Sequence, residues 1–394
     1  MLITAPSVLT ALPDSEPAAA GYVLIEDGVI TRVGHGRAPG PPDLALPTGL
    51  LVPGFVDLQV NGYYGVEFQE ADSDRWAAVA RRLPETGTTA FLPTMITAPV
   101  AELAGALAGA ASFVPQLTDG ARVLGVHLEG PFLSAARRGA HNPAWLTDPS
   151  PEAIAQLLAA GAGLVRLVTL APELPGALAA IRQLTAAGVV VSIGHSDALG
   201  SQVEAAATAG ARMVTHLFNA QRQLGHREPG VVGQALTDSR LTSGLIVDLH
   251  HVTGPACQIA LAAAPGRIAL VTDAAACAGM PPGEYLLGGE PITLPAGDGA
   301  PPVRANGTLA GSALRMDRAI ANVVSLGLPV SAAIAAATRI PADLIGRPDL
   351  GRLATGAAAD LVWLGDDLSV LATWTGGRLA YSNAAAGALT VVPA

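Results

Sequence analysis

The chain has 394 residues and a formal net charge of −10 at pH 7, and 14% of its residues are charged. This length suits one domain of about 250 to 300 residues with a smaller one beside it. The acidic balance argues against a nucleic-acid or anionic-membrane surface. All 22 basic residues are arginine, which excludes Schiff-base chemistry on a lysine and a carbamylated lysine between two metals.

The chain begins and ends with predicted strands. Residues 21–34 form two short apolar runs around an Asp-Gly turn, which is a hairpin signal. Residues 361–381 again contain strand patterns, around a Gly-Gly turn. Because both ends are β-rich, we expect them to pair into a small β-sandwich domain built from residues 1–50 and 347–394.

Eight predicted strands occupy the middle of the chain. They cover residues 51–60, 88–95, 123–130, 164–170, 189–195, 213–219, 241–248 and 267–273. Helical patterns between or after them cover 74–85, 98–111, 151–160, 175–187, 201–209, 254–263, 314–325 and 331–345. This α/β alternation predicts a (β/α)8 TIM-like barrel over residues 51–346, although a doubly wound sheet shares much of it. Residues 283–306, rich in Gly and Pro, predict an inserted hairpin or lid.

Three predicted strands end in side chains that can bind a metal. The apolar run 123–130 ends in Glu129, and two strands of the same design carry His195 and His216 near their ends. A carboxylate at the exit of a buried strand costs on the order of several kcal/mol unless a cation pairs it. A single histidine in such a place is more often structural. Three such strand ends together favour a catalytic divalent-metal site with an open position.

Eight short motifs in chain order carry a resemblance to a known family. They are His127-Leu-Glu-Gly-Pro131, His141-Asn-Pro143, Gly194-His-Ser196, Thr215-His-Leu-Phe-Asn-Ala220, Arg227-Glu-Pro-Gly230, His251-Val252, Thr272-Asp-Ala274 and Leu309-Ala-Gly-Ser312. Each motif alone is weak, and the ordered set is specific. The set resembles the N-acetylglucosamine-6-phosphate deacetylase family, a branch of the amidohydrolase superfamily.

The resemblance implies roles for the matched positions. The metal ligands would be Glu129, His195 and His216, the general base would be Asp273, and His141 would lie over the acetamido group or the sugar. The sugar phosphate would be held by the backbone of Ala140, Asn219 and Ala220, by Arg227 and His251, and by backbone groups of Leu309, Ala310 and Gly311. Arg227 and His251 are expected to reach a neighbouring subunit's site, which implies a homodimer.

The end of the first barrel strand delivers Asp57, Gln59 and Asn61. Many amidohydrolases have His-x-His where this chain has Gln59-Val60-Asn61. A neutral amide is a poor zinc ligand beside imidazole and carboxylate, so a second metal lacks its usual ligands. We therefore expect one divalent ion per chain, with zinc favoured. Asp57 is interpreted as a structural partner for a backbone group or an arginine.

The function implied is a metal-dependent deacetylase that converts N-acetyl-D-glucosamine 6-phosphate to D-glucosamine 6-phosphate and acetate in amino-sugar catabolism. Two alternatives stay open. One is a hydrolase of another N-acyl amino sugar, such as N-acetylgalactosamine 6-phosphate or an unphosphorylated N-acetyl hexosamine. The other is an inactive sugar-phosphate sensor, against which Asp273 argues because a sensor needs no general base. For Arg227, the alternative to phosphate binding is a salt bridge to Glu228.

Two positions depart from the family's pattern. Leu249 stands where the family usually has glycine, which restricts φ and adds bulk beside His251. Gln221 stands where methionine is common. These departures bear on the fit of the sugar or phosphate rather than on the metal chemistry. His250 is interpreted as a surface histidine, with an extra pocket donor as the alternative.

The cysteines and the first residues predict the compartment. Cys257 and Cys277 are too far apart for a CxxC metal site and too few for a disulfide framework. The first twenty residues contain no Lys or Arg, so they lack the charged start of a secretory signal. No uninterrupted apolar run approaches the ~20 residues of a membrane span. We expect a cytoplasmic protein.

Overall fold

The computed structural model describes residues 1–297 and 299–386. Its first strands are β1 (Leu2–Val8), β2 (Ala18–Glu26), β3 (Val29–His35), β4 (Leu44–Ala45) and β5 (Leu50–Pro53). The predicted hairpin is confirmed, because β2 and β3 pair antiparallel with Asp27 and Gly28 between them. Both turn residues have positive φ, 48° and 78°, which is the backbone that a two-residue hairpin turn favours.

The next eleven strands include the eight strands of the barrel. They are β6 (Phe55–Val60), β7 (Gly62–Tyr63), β8 (Val66–Glu67), β9 (Thr88–Ile96), β10 (Arg122–Val123), β11 (Val126–Glu129), β12 (Val165–Leu170), β13 (Val190–Ile193), β14 (Met213–Val214), β15 (Thr242–Leu245) and β16 (Ile268–Leu270). Eight of them pair in parallel in the order β6-β9-β11-β12-β13-β14-β15-β16. This order confirms the predicted barrel and excludes the doubly wound sheet.

The barrel closes through an irregular seam between β16 and β6. Among the described residues no continuous ladder joins these two strands, and an isolated bridge links Val60 to Ala274. The N–H of Asp273 donates to the carbonyl of Gln59 at 2.9 Å, and the N–H of Asn61 donates to the carbonyl of Ala274 at 2.8 Å. The seam therefore lies at the strand ends where the predicted chemistry is placed.

Helices alternate with the barrel strands. They are α1 (Ser73–Arg82), α2 (Val100–Phe113), α3 (Pro151–Gly161), α4 (Ala177–Ala186), α5 (Gly200–Ala209), α6 (Gly230–Thr237), α7 (Gly254–Ala263), α8 (Met316–Ser325), α9 (Val330–Ala337) and α10 (Arg339–Leu344). The sequence did not predict α6, whose two glycines lower its helix propensity. The predicted helix 331–345 is broken at Thr338 into α9 and α10. In the described part of the chain no helix is long and apolar enough to cross a membrane.

The remaining strands form a hairpin and complete the terminal sheet. They are β17 (Gly283–Leu287), β18 (Glu290–Leu294), β19 (Leu361–Leu364), β20 (Val370–Thr375) and β21 (Arg378–Ser382). The pair β17 and β18 confirms the predicted inserted hairpin. The terminal sheet has the order β21-β20-β19-β5-β1-β2-β3, with β4 beside β1, so both chain ends share one sheet as predicted.

The first predicted barrel strand is shared between the two sheets. Its beginning, β5, pairs with β1 and β19 of the terminal sheet, and only β6 lies in the barrel. The predicted domain boundaries at residues 50 and 346 stay a prediction, and residues 387–394 lie outside the described part. Trp363 anchors the terminal sheet, because it is 1% exposed and its indole N–H donates to the carbonyl of Thr48 at 2.8 Å.

Candidate active site

A cavity of about 340 Å³ lies at the C-terminal ends of the barrel strands. Its wall includes Glu129, the last residue of β11, and Asp273, three residues after β16. It also includes His195 and His216, each two residues after its strand, β13 or β14. Parallel strands bring their carboxyl ends to one face, which is where barrel enzymes hold their active sites. The structure therefore gathers the three predicted metal ligands and the predicted general base in one cavity.

Three ligand atoms converge in this cavity. Oε1 of Glu129 lies 3.1 Å from Nε2 of His195 and 2.9 Å from Nε2 of His216, and the two nitrogens are 3.1 Å apart. Donor atoms around one tetrahedral zinc ion, at bonds of about 2.0 to 2.2 Å, lie roughly 3.3 Å from one another. The three side chains are buried and spaced to share a single small cation.

Hydrogen bonding around His195 shows why a cation fits. Its Nδ1 lies 3.0 Å from the carbonyl oxygen of Arg137, which can only accept, so Nδ1 carries the hydrogen. A neutral imidazole then presents a lone pair at Nε2, and this lone pair faces the Glu129 carboxylate. Two acceptors at 3.1 Å repel each other unless a cation or a proton lies between them. The donor set, one carboxylate and two imidazoles, is one that divalent metals bind.

The buried charges shift the pKa values of the cluster. Burial raises the pKa of Glu129, but the adjacent imidazoles of His195 and His216 outweigh it and hold this pKa well below its ordinary value. Burial lowers the pKa of His216, but the Glu129 carboxylate outweighs it and raises this pKa. A carboxylate held ionised inside the protein produces a negative potential at the point where the three ligand atoms meet.

Asp273 is held by two amides from the end of β6. Its Oδ1 accepts hydrogen bonds from Nδ2 of Asn61 at 2.7 Å and from Nε2 of Gln59 at 3.0 Å. The same Gln59 nitrogen lies 3.1 Å from Oε1 of Glu129. Burial, followed by the Glu129 charge, raises the pKa of Asp273 to about 6. The two amides that are poor metal ligands thus orient the predicted base.

His141 borders the same point. Its Nδ1 lies 2.8 Å from Oγ1 of Thr97, whose hydroxyl donates to the carbonyl of Glu129 at 3.3 Å, so Nδ1 is the donor to Thr97. A ligand atom of His141 lies within 4.8 Å of those of Glu129 and His195. We keep His216 as the expected third metal ligand, because its Nε2 lies 2.9 Å from Oε1 of Glu129 and 3.1 Å from Nε2 of His195. Burial lowers the pKa of His141 to about 3, which keeps its ring neutral.

Most of the predicted substrate-binding residues line the cavity. Those on its wall are Ala140, Asn219, Ala220, His251, Leu309 and Gly311. Ala310 is buried outside the wall, and its N–H is already donated to the carbonyl of Pro302 at 3.1 Å. Arg227 is exposed and does not line this cavity. The structure therefore brings six of the eight together on the wall, and Ala310 and Arg227 lie outside it.

His251 lies in the cavity of its own chain, whereas the resemblance implied that it reaches a neighbouring subunit's site. Its Nδ1 lies 2.6 Å from Oδ2 of Asp248, and Oδ1 of Asp248 accepts the backbone N–H groups of His250 and His251. Asp248 thus fixes the ring and leaves Nε2 as the nitrogen available to a ligand. His250 is exposed, which agrees with its interpretation as a surface histidine.

Arg227 does not form the alternative salt bridge among the described residues. The carboxylate of Glu228 instead accepts the backbone N–H groups of Gly200 at 2.7 Å and Gly230 at 3.0 Å. These bonds lower the pKa of Glu228. Glu228 therefore accepts hydrogen bonds at the first residues of α5 and α6 and does not pair with Arg227.

The sequence did not predict the supporting roles of four residues, Thr97, Arg137, Asp248 and Gln221. Gln221 is buried, donates to the carbonyl of Thr215 at 2.6 Å and accepts the N–H of Phe218 at 3.3 Å, so it braces the loop of Asn219. Asp248 carried a usable signal, because aspartate after a strand often accepts the N–H groups that follow it. Thr97 acts through its hydroxyl and Arg137 through its backbone carbonyl. Neither group leaves a recognisable pattern in the sequence.

Comparisons with known proteins identify the family. The model of the amidohydrolase family matches residues 50–380. The chain is 38% identical over 344 residues to N-acetylglucosamine-6-phosphate deacetylase of Vibrio furnissii, covering 86% of each chain. It is 39% identical over 360 residues to N-acetylgalactosamine-6-phosphate deacetylase of Escherichia coli O157:H7, covering 90% of this chain and 93% of the relative. The crystal structure of N-acetyl-D-glucosamine-6-phosphate deacetylase from Mycobacterium smegmatis matches with a TM-score of 0.91 at 39% identity, over 96% of this chain and 99% of that one. The chain belongs to the amidohydrolase family.

Proposed function

We propose that this protein is a metal-dependent deacetylase that hydrolyses N-acetyl-D-glucosamine 6-phosphate to D-glucosamine 6-phosphate and acetate in amino-sugar catabolism. The observation that carries the proposal is the convergence of Glu129, His195 and His216 in one cavity beside Asp273. The substrate class is inferred from the relatives. The two named above match most of this chain, and both are deacetylases of N-acetyl hexosamine 6-phosphates.

The metal part of the proposal is one divalent ion per chain. Glu129, His195 and His216 would hold it, and zinc is favoured because imidazole nitrogen and carboxylate oxygen are ligands that zinc takes in catalytic sites. An ion in that position supplies a water of lowered pKa and a polarised acyl carbonyl. Gln59 and Asn61 use their amide N–H groups on carboxylates, so they offer no anionic or imidazole ligand to a second ion.

The side chains around the proposed metal position have separate roles in the reaction. Asp273 takes a proton from the attacking water, whose oxygen bonds to the acetyl carbon. As the C–N bond breaks, Asp273 delivers the proton to the leaving nitrogen, and the products are the free amine and acetate. Gln59 and Asn61 hold the Asp273 carboxylate in place throughout. His141, a neutral ring held by Thr97, orients the acetamido group.

The sugar phosphate would lie toward the His251 side of the cavity. Backbone groups of Ala140, Asn219, Ala220, Leu309 and Gly311 would contact the sugar or its phosphate. We propose that Arg227, exposed and without an ion pair to Glu228 in the described part, completes the phosphate site of a neighbouring chain in a homodimer. Its planar guanidinium matches phosphate oxygens and forms strong charge-assisted bonds with them.

A second candidate is deacetylation of N-acetylgalactosamine 6-phosphate, the galacto epimer. The support is the relative from Escherichia coli O157:H7, which is named for that activity. The test measures acetate release from N-acetylglucosamine and N-acetylgalactosamine, each with and without a 6-phosphate, with the Asp273→Asn variant as the control. The highest kcat/KM on N-acetylglucosamine 6-phosphate supports the proposal. A preference for the galacto epimer replaces it with the second candidate, and no acetate from any sugar would refute the deacetylase function.

The cytoplasm is the compartment that we propose. The support is that both cysteines, Cys257 and Cys277, are free and buried in the structure rather than joined in a disulfide. Fractionation of cells, with detection of the protein in each fraction, tests this proposal.

A further inference from the structure

Asp57 is a buried carboxyl that the proposed mechanism does not use. It lies on β6 beside the seam of the barrel and is 2% exposed. Burial raises its pKa to about 7, and its hydrogen-bond partners, Thr272 and Gln59, are uncharged. Burying a carboxyl group without a cation costs folding free energy. Asp57 therefore has a role other than pairing with a charge.

The carboxylate of Asp57 joins the two sides of the seam. Its Oδ2 accepts the hydroxyl of Thr272 at 2.5 Å, and its Oδ1 accepts the backbone N–H of Thr272 at 3.2 Å. The same Oδ1 accepts the backbone N–H of Gln59 at 3.2 Å. Thr272 directly precedes Asp273, and Gln59 is one of the two amides that hold the Asp273 carboxylate. Asp57 therefore fixes both the backbone before the base and a residue that orients it.

Asp273 needs such support because its backbone lies in the left-handed region, with φ of 52°. Residues other than glycine persist there only where the surroundings hold them in several ways. Here the N–H of Asp273 donates to the carbonyl of Gln59 at 2.9 Å, and the N–H of Ser312 donates to the carbonyl of Asp273 at 2.8 Å. The Asp57 bonds to Thr272 complete this support on the side where no regular ladder exists.

We propose that Asp57 is a positioning residue for the deacetylation: by bonding Thr272 and Gln59 across the seam, it sets where the Asp273 carboxylate stands in the cavity. Asp57 does not line the cavity, so it acts through Asp273 and not on the substrate. This inference rests on the proposed role of Asp273 as general base.

The test compares two substitutions of Thr272 with one of Asp57, each in the metal-loaded enzyme with N-acetylglucosamine 6-phosphate. Thr272→Val keeps the shape and removes the hydroxyl, whereas Thr272→Ser keeps the hydroxyl. Because misplacing a catalytic group by about 1 Å can cost 10²-fold, we expect kcat to fall roughly 10- to 100-fold in Thr272→Val and Asp57→Asn. KM should stay near the wild-type value, and Thr272→Ser should retain most of the wild-type kcat.

A double variant shows whether the two residues act together. If Asp57 works through Thr272, the kcat of Asp57→Asn with Thr272→Val falls about as far as in the worse single variant, and not by the product of both losses. Asp360→Asn is the matched control, because Asp360 is also a buried acid but pairs with Arg122 beside the terminal sheet. It should leave kcat unchanged.

The outcomes separate this inference from the proposed function. A wild-type kcat in Thr272→Val, an equal loss in Thr272→Ser, or multiplicative losses in the double variant would each overturn the positioning role of Asp57. If Asp57→Asn does not fold, the two Thr272 variants decide alone. An inactive wild-type enzyme would overturn the proposed function and this inference with it, whereas an active enzyme with unaffected variants overturns the inference only.

Discussion

Nδ2 of Asn61 lies 2.7 Å from Oδ1 of Asp273, across the seam between the first and last barrel strands. The amide of Gln59 reaches the same oxygen at 3.0 Å. In many amidohydrolases these two strand positions are histidines, and here their side chains donate hydrogen bonds to the proposed base. Replacing imidazoles by amides therefore removes ligands for a second metal and adds donors that fix the carboxylate.

Metal analysis of the purified protein should find close to one tightly held divalent ion per chain. Glu129→Gln should weaken its retention during dialysis, because a charged ligand becomes a neutral amide. Elemental analysis before and after dialysis measures this retention. Glu102→Gln, at an exposed position of α2, is the control that should keep its metal. Two strongly bound ions per chain would contradict the single-metal site.

Asp273→Asn should remove most turnover and leave substrate binding in place. Asparagine keeps the size of the side chain but cannot take the proton from water. Loss of a general base costs about 10² to 10⁴ in rate, and more where the same residue returns the proton. Single-turnover kinetics and calorimetric binding of the substrate measure the two effects separately. Near-normal turnover would remove Asp273 from the mechanism.

Arg227→Ala tests the phosphate contact. If its guanidinium binds the phosphate, kcat/KM for the 6-phosphate should fall sharply and that for the unphosphorylated sugar should hardly change. The measurement compares both substrates under the same conditions. Equal losses on the two substrates would show that Arg227 does not recognise phosphate.

The same variant tests the homodimer. Mixing Arg227→Ala chains with Asp273→Asn chains should restore partial activity, because some hybrid sites would then contain neither lesion. Mass spectrometry first confirms that the chains have exchanged. The absence of rescue in exchanged hybrids would place Arg227 in the site of its own chain.

Asp248→Asn should weaken binding of the phosphorylated sugar through His251. The carboxylate that holds Nδ1 of His251 at 2.6 Å is lost, so the ring no longer has a fixed orientation. Hydrogen bonds to charged groups contribute about 1.5 to 3 kcal/mol, so we expect KM for the 6-phosphate to rise roughly tenfold or more. His250→Ala, a change at the exposed neighbour, should leave KM unaltered. An unchanged KM in Asp248→Asn would contradict the role of His251.

Asp57→Asn should change how stability depends on pH. Burial raises the pKa of Asp57 from 3.8 to about 7, so the folded protein holds this proton more tightly than the unfolded chain. Its stabilising contribution is therefore complete below about pH 4 and is lost as the pH rises through 7. The free energy of unfolding of the wild type, relative to the variant, should fall by about 1.4 kcal/mol for each pH unit between the unfolded and folded pKa values. Denaturant unfolding at several pH values measures the free energy of unfolding of both proteins. A difference between wild type and variant that does not change with pH would contradict the prediction.

The sequence by itself predicted the fold class, which the structure confirms, and the acidic and histidine side chains that the structure brings together at the strand ends. Buried parallel strands are short apolar runs, so their positions and their alternation with helices can be seen locally. Glu129, His195 and His216 each stand at the end of such a run, where a polar residue is unusual. The inserted hairpin and the pairing of both chain ends also followed from local turn residues and strand patterns.

Only the tertiary structure decided which atoms meet. The predicted strand 213–219 is reduced to Met213–Val214, because the chain turns immediately afterwards with positive φ at His216 and Phe218. Asp57 and Thr272 are 215 positions apart, and their contact exists only because the barrel closes at its seam. The same is true of His251, which the fold places in its own chain's cavity. Hydrogen bonds between distant strand ends depend on closure geometry, and no local period in the sequence encodes that geometry.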